Sequence, residues 1–292
     1  MSKQIKADLL LLLITAIWGS SFPLMKNVLD FIPSFAYLSL RFIIAAIVLA
    51  AILWKKVRLI NGRMVLYGGI LGLLLFGGMA LQVGGLYFTT ASNSAFITGL
   101  NVVMVPVVSA FFLGKKPDLS SALGVILAFA GMFFLCGGLN FKFNFGDFLT
   151  LLCAVCFTMH IILIDKYTGD NDAALLALMQ IGFAGALSTI VWGGAGFKSF
   201  ELNATVLMTL LTTGVLGTAL ALAGQTVAQK HTTPTHTALV FSAEPVFGAV
   251  FALIIPNSQG VVETLEVSTV AGCMLILTGM LVSEFKLGKK RL

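Results

Sequence analysis

From residue 64 to residue 87 the chain reads MVLYGGILGLLLFGGMALQVGGLY, without one charged side chain. Stretches of this kind recur along all 292 residues, at about 7–26, 34–54, 64–87, 91–113, 119–138, 146–165, 173–193, 204–228, 235–255 and 267–284. Each is close to the length of a helix that crosses a hydrocarbon layer roughly 30 Å thick. Lipid offers no partner to an open backbone N–H or C=O, so such stretches must be helical. Composition leaves no other course: 58% of residues are hydrophobic and 10% charged, too few polar groups to cover a water-facing surface. The expected fold class is an all-α polytopic membrane protein with ten transmembrane helices.

The basic residues set an orientation. Counted on alternate sides of the ten spans, fourteen Lys and Arg fall on one side against Lys26, Lys142 and Lys198 on the other, and Arg41 lies within the second span. The positive-inside rule then places both termini in the cytoplasm, in a multi-pass protein of the cytoplasmic (inner) membrane. The net charge of +6 sits in short loops and tails, which suits anionic lipid and excludes a nucleic-acid partner. Lys3 and Lys6 precede the first apolar run as in a signal peptide, but no small-x-small cleavage site follows, so this run is expected to stay as the first span. Cys136, Cys153, Cys156 and Cys273 all fall in apolar runs; the C-x-x-C at 153–156 reads as packing, with no disulfide, metal or cofactor implied.

The chain also resembles itself. QVGGLYFTTASNSAFITGLN (82–101) aligns without gaps to QTVAQKHTTPTHTALVFSAE (225–244), pairing Gln82 with Gln225, Thr89-Thr90 with Thr232-Thr233 and Ala95 with Ala238. Both copies fall between the third and fourth spans of a five-span half. An odd number of spans per half inverts the second copy in the membrane. The expected organisation is therefore two inverted five-helix repeats, 1–140 (spans 1–5) and 141–292 (spans 6–10), the plan of alternating-access carriers.

WGSSFP (18–23), ASNSAFITGLNVVMVPVVSAFFLGKKP (91–117) and the five-plus-five layout resemble the EamA family of the drug/metabolite transporter superfamily. That resemblance covers essentially the whole chain. It implies exporters or exchangers of small solutes, with importers in some branches.

Glu244, in VFSAEPVFGAVF (240–251), is an acid near the middle of a span, where a charge costs at least about 2.5 kcal/mol. Either it is neutral or paired for packing alone, or it faces a cavity and binds a cation or a proton. Pro245 either frees the Phe241 carbonyl beside it or only kinks the helix. Thr237, Phe241, Glu244 and Gly248 share one helical face. Asn101 is the repeat partner of Glu244, suited to substrate binding or to helix–helix hydrogen bonding. Trp18 lies too deep for an interfacial belt and, with Phe22 and Met25, either packs or walls a cavity that stacks a ring or cation. Tyr37 and Arg41 lie one turn apart; Arg41 snorkels, counters Glu244 or meets a substrate carboxylate. His160 is a satisfied core histidine or a proton relay. His231 and His236 miss metal-site spacing and Pro234 interrupts them. Gln82, Thr89 and Thr90 outside and Gln225, Thr232 and Thr233 inside are candidate gate hinges.

No Ser-His, paired-Asp or His-Glu-x-x-His set supports an intramembrane enzyme, and neither a repeated channel filter nor a soluble signalling part is present. The expectation is a secondary active transporter moving a small metabolite (an amino acid, amine, or aromatic or cationic compound) by alternating access, as a proton-linked exporter. The alternative is an importer of a quaternary ammonium such as choline. Its partners would be the small-molecule substrate, the lipid bilayer and a proton. GGILG (68–72) leaves monomer and homodimer equally open.

Overall fold

The computed structural model describes residues 3–89, 94, 97–114, 116–135, 143–254 and 267–284; within these, the side chains of residues 22, 23, 26, 27, 135, 252 and 284 are not described. The described chain is helical from end to end: α1 (Lys3–Val28), α2 (Ser34–Ile52), α3 (Gly62–Leu86), α4 (Asn101–Leu113), α5 (Leu119–Leu135), α6 (Phe145–Thr168), α7 (Ala173–Gly194), α8 (Ala204–Gln229), α9 (Pro234–Phe241), α10 (Glu244–Ala252) and α11 (Val267–Glu284). Among the described residues, six helices are long and apolar enough to cross a membrane, and Ile97–Leu113, Leu119–Phe134 and Val267–Ser283 are shorter apolar helices. Large apolar side chains such as Ile47, Phe111 and Ile190 stand on the outside of the bundle, as the lipid-facing reading requires.

Helix starts are marked by short polar side chains that take the first free amides. Asn61 caps α3, Asp172 caps α7, Asn203 caps α8 and Thr233 caps α9 ahead of Pro234. Asn144 opens α6 with a capping box: its side chain accepts from Asp147 N–H, and Asp147 accepts from Asn144 N–H. Gly114, at φ 65°, ends α4 in the left-handed conformation that lets the chain turn away.

The ninth span, expected as one helix over 235–255, is two. Ser242 and Ala243 interrupt it, and α10 begins at Glu244. Pro245 therefore sits in the first turn of a new helix, where its missing N–H is cheap, and does not kink a continuous one. Leu100 makes a similar break before Asn101, the first residue of α4. The eighth span is continuous but contains a π-helical stretch, Thr212–Leu220, between two α-helical ends.

Packing crosses between the halves. In α5 against α11, a Cβ on Gly124 would lie 2.6 Å from the Gly279 carbonyl oxygen, and one on Gly131 would lie 2.6 Å from that of Gly272, so these backbones touch in antiparallel sense. Helix α3 meets α6 in antiparallel sense, with Gly78 on Phe157 and Gly85 on Thr150, and α1 meets α8 likewise, with Gly224 on Ile14. Helix α3 runs parallel to α7, Gly72 lying on Phe183, and α2 runs parallel to α8, tied by Tyr37 to Thr213 and Arg41 to Thr218. Helices α2 and α7 join through Ser39 and Thr189 hydroxyls 2.6 Å apart. Small residues let these helices approach closely enough for dispersion to hold them without a water-driven term.

The Cys153 thiol is buried and Cys156 half-buried on α6, and both are free.

Candidate functional site

Helices from both halves surround a central cavity of about 140 Å³. A dry cavity of about 150 Å³ accepts benzene, so this one holds a single ring or an object of that size. Its wall brings together Trp18, Arg41, Asn101, His160, Phe241 and Glu244. Gln82 and Gln225, expected at the gate joints, also line it, two turns inside those joints.

Two groups on this wall share one anchor. The wide turn of the π stretch in α8 presents the Gly217 carbonyl, which accepts Trp18 Nε1–H at 2.8 Å and lies 3.4 Å from Arg41 Nη2. Arg41 Nε donates to Thr218 Oγ1 at 2.6 Å, and that hydroxyl donates to Thr213 O, five residues back, at 2.8 Å. Arg41 is thus 6% exposed and held in the cavity wall, and the snorkelling reading does not describe it. Tyr37 does not reach the cavity: it is fully buried, donates to Thr213 Oγ1 at 3.0 Å, and lies with its ring 6.0 Å from the Arg41 guanidinium carbon. Tyr37 therefore supports Arg41 from behind.

Trp18 meets Phe241 edge-on, ring centres 5.0 Å apart, and Phe157 joins them on the wall. Gly19 makes this possible. A Cβ there would strike Phe247, the Glu244 carbonyl and Gly248, so α1 and α10 pass in backbone contact. Phe22 lies on α1 with its side chain outside the described residues, as does Thr90 entirely.

Glu244 starts α10 and is only partly buried, facing the cavity. It forms no ion pair within 4.0 Å and no hydrogen bond among the described residues. Arg41 faces the same space from α2. A carboxylate and a guanidinium thus share one small chamber without neutralising each other by contact.

His160 is 3% exposed at the cavity edge, and its Nε2 lies 2.6 Å from Gln180 Oε1. With Oε1 accepting, Nε2 carries the proton, and Gln180 Nε2 passes the network on to Thr226 Oγ1 at 3.1 Å. Gln225 Nε2 donates to Gln229 Oε1 at 3.0 Å, and Gln229 Nε2 donates to Ile161 O at 3.1 Å, tying α8 to α6. Gln82 donates to Thr98 Oγ1 at 3.3 Å. At the joints proper, Thr89 donates to Asp147 and Thr233 caps α9. Thr232 Oγ1 is buried without a partner among the described residues.

Ser21, which in the sequence reads as a small residue for close helix approach, lines the wall, as do Phe157, Gly217 and Thr218, which the sequence does not single out. A signal for two of them exists. An offset of 139 lays α6 on α1, pairing Phe157 with Trp18 and His160 with Ser21, and all four line the cavity. No group of three His, Cys, Asp or Glu side chains comes together among the described residues.

The comparisons agree with this geometry. A crystal structure superposes with a TM-score of 0.81 over 97% of this chain and 99% of the other at 19% identity, which establishes the fold. An uncharacterized transporter of Archaeoglobus fulgidus is 33% identical over 97% of this chain and 87% of its own length. The uncharacterized transporter YvbV of Bacillus subtilis is 25% identical over 94% and 90%. The profile of the EamA-like transporter family matches twice, over 5–137 and over 144–285. Polytopic helices around an internal cavity, with relatives of this kind along nearly the full length, make the chain a member of the EamA-like transporter family.

Proposed function

We propose that this chain is a secondary transporter that carries a small metabolite through the central cavity by alternating access, with Glu244 exchanging a proton for the substrate's cationic group. The observation that carries the reading is Glu244 and Arg41 facing one cavity from opposite halves with no bridge between them. An acid and a base held apart in low dielectric each need a counter-charge. A zwitterion supplies both, its ammonium to Glu244 and its carboxylate to Arg41, and Trp18, Phe157 and Phe241 suit the small apolar side chain that a chamber of this volume leaves room for. An amino acid fits best. A quaternary ammonium such as choline satisfies Glu244 and the rings but leaves Arg41 uncompensated.

Two features support inverted halves: the family profile matches once in each, and the helix contacts repeat under exchange of halves. The antiparallel α3–α6 contact answers α1–α8, and the parallel α3–α7 contact answers α2–α8. With the termini in the cytoplasm and a proton entering from outside, the expected direction is export across the cytoplasmic membrane.

The test is amino-acid counterflow in proteoliposomes with and without an imposed proton gradient. Glu244→Gln should keep a folded protein and lose gradient-driven flux by at least about tenfold, a deficit of 1.4 kcal/mol in the driven step. Gradient-driven flux equal to the parent's would reduce Glu244 to a structural role.

A further inference from the structure

In the opening turns of the first helix of each half a small residue is followed by an aspartate, and each aspartate reaches the other half at one end of the cavity. In α6 these are Gly146 and Asp147. A Cβ on Gly146 would lie 2.5 Å from Gly85 O and 2.8 Å from Thr89 N, so the start of α6 and the end of α3 are in backbone contact. Asp147 is fully buried and divides its carboxylate: Oδ2 accepts Asn144 N–H at 2.8 Å within its own helix start, and Oδ1 accepts the Thr89 hydroxyl of the other half at 2.5 Å.

In α1 the pair is Ala7 and Asp8. Ala7 and Ala228, from the end of α8, belong to one buried cluster with Leu11, Ile161 and Ala238. Asp8 Oδ1 lies 3.3 Å from Nε2 of His236 in the first turn of α9. The offset of 139 carries Ala7 and Asp8 onto Gly146 and Asp147, and the offset of 143 carries Gly85 and Thr89 onto Ala228 and Thr232. The two contacts occupy corresponding places at opposite ends of the bundle, with the cavity between, but their partners differ: the counterpart of Thr89 is Thr232, whereas Asp8 meets His236. Gln82 and Gln225, which line that cavity, stand two turns before Thr89 and Thr232 on the same helix faces.

We propose that Asp147–Thr89 and Asp8–His236 are the two latches of the transport cycle, each closing one end of the cavity and parting when that end opens. The proposal rests on the alternating-access reading above. The chemistry suits a contact that must be both firm and reversible. The Thr89 hydroxyl makes a strong hydrogen bond to the buried Asp147 carboxylate, whereas Asp8 and His236 face each other at 3.3 Å without hydrogen-bond alignment, a weaker contact of opposite-charge type. When the crevice wets, water replaces the lost donor, so the open state leaves no carboxylate stranded. At the closest points the residues are small (Gly85 and Gly146, Ala7 and Ala228), while Phe88 meets Phe145 edge-on beside the first contact and Leu11 and Ile161 lie beside the second.

The experiment needs no identified substrate. Cys136, Cys153, Cys156 and Cys273 are replaced by Ala, and Ser21, a cavity residue on α1, becomes the single reporter as Ser21→Cys. Labelling by a membrane-impermeant maleimide is then followed from outside in intact cells and from the cytoplasmic side in inside-out vesicles. Thr89→Val removes the outer contact and spares the Asn144–Asp147 capping box; outside labelling should rise roughly tenfold. Asp8→Asn should raise cytoplasmic labelling by a similar factor. Thr89→Ser, which keeps the hydroxyl, should label as the parent does, and this separates loss of a latch from general loosening. A reporter reached from both sides in the parent but unmoved by either substitution, or moved toward the same side by both, overturns the latches alone. A reporter reached from one side only in every variant overturns alternating access as well.

Discussion

Trp18 and Gly217, 199 residues apart in sequence, are joined by a hydrogen bond of 2.8 Å from the indole N–H to the backbone carbonyl. The bond fixes the ring whose face and edge form one wall of the cavity, and it crosses from the first half to the second. Trp18→Phe keeps most of the ring surface against Phe241 but removes the donor. The expected cost is about 1 kcal/mol in thermal stability, with a larger apparent KM because the wall is no longer held. A variant as stable as the parent with an unchanged KM would show that the indole N–H positions nothing.

Arg41 should not tolerate Lys. Its Nε bonds Thr218 while Nη2 lies against Gly217, a fork that an ammonium cannot copy. Arg41→Lys should therefore lower affinity for a carboxylate-bearing substrate by about tenfold and leave affinity for a simple amine nearly unchanged. Equilibrium binding to an amino acid and to its decarboxylated amine, measured on both proteins, gives the comparison; an equal loss for both ligands would remove Arg41 from carboxylate recognition.

Asp172, outside the spans, gives a pH-dependent prediction. Burial pushes its carboxyl up, but the Lys56 side chain at 2.9 Å and the amides of Leu175 and Ala174 together outweigh this and hold it below the ordinary value of 3.8. A depressed folded value means the stabilisation is complete above the unfolded value and is lost as pH falls through the folded one. Asp172→Ala should thus cost about 1 kcal/mol at neutral pH as a lost helix cap, and the difference from the parent should shrink below about pH 4. Lys56→Ala should cost less than about 1 kcal/mol, because that ion pair is half in water. Melting curves across pH decide both.

The seam between α5 and α11 has no room for side chains at its closest points. Gly124→Val and Gly279→Val each place a branched side chain against backbone, which cannot yield as a flexible side chain would. A loss of about 3 kcal/mol or a failure to fold is expected for either. Gly194→Val, where a Cβ meets nothing, serves as the control and should melt close to the parent.

The apolar stretches, the family and the importance of Glu244 and Trp18 as features needing explanation were all legible in the sequence, because lipid imposes so few solutions on the backbone. The break in the ninth span was half legible. Pro245 announced a disturbance, but a proline in mid-span is compatible with a kink or with a fresh helix start, and only the path of Ser242 and Ala243 distinguishes them. Gln82 and Gln225 were found by their repeat spacing and yet read as joint residues, because sequence alone does not say how far a helix extends past its last wall residue. Thr218 and Gly217 were invisible for a different reason. Their role follows from a π turn in α8, and TTGVLGTAL carries no side-chain pattern that separates π from α hydrogen bonding. Asp8 and Asp147 carry no pattern in the sequence that separates them from other charged residues at span ends; their contacts alone place them across the two halves.

The π stretch has a consequence for how this wall can be altered. A wide turn takes up more backbone per revolution than an α turn, so the segment Ala221–Gln229 that follows is rotated from where an unbroken α-helix would set it. Deleting one residue between Thr212 and Thr218 would let α8 close into ordinary α geometry with Leu222 and Gln225 still facing the chamber, because the wide turn holds about one residue more than an α turn. The chamber would keep its outline and lose the open Gly217 carbonyl that Trp18 and Arg41 share, so its tryptophan and its cation would come loose together.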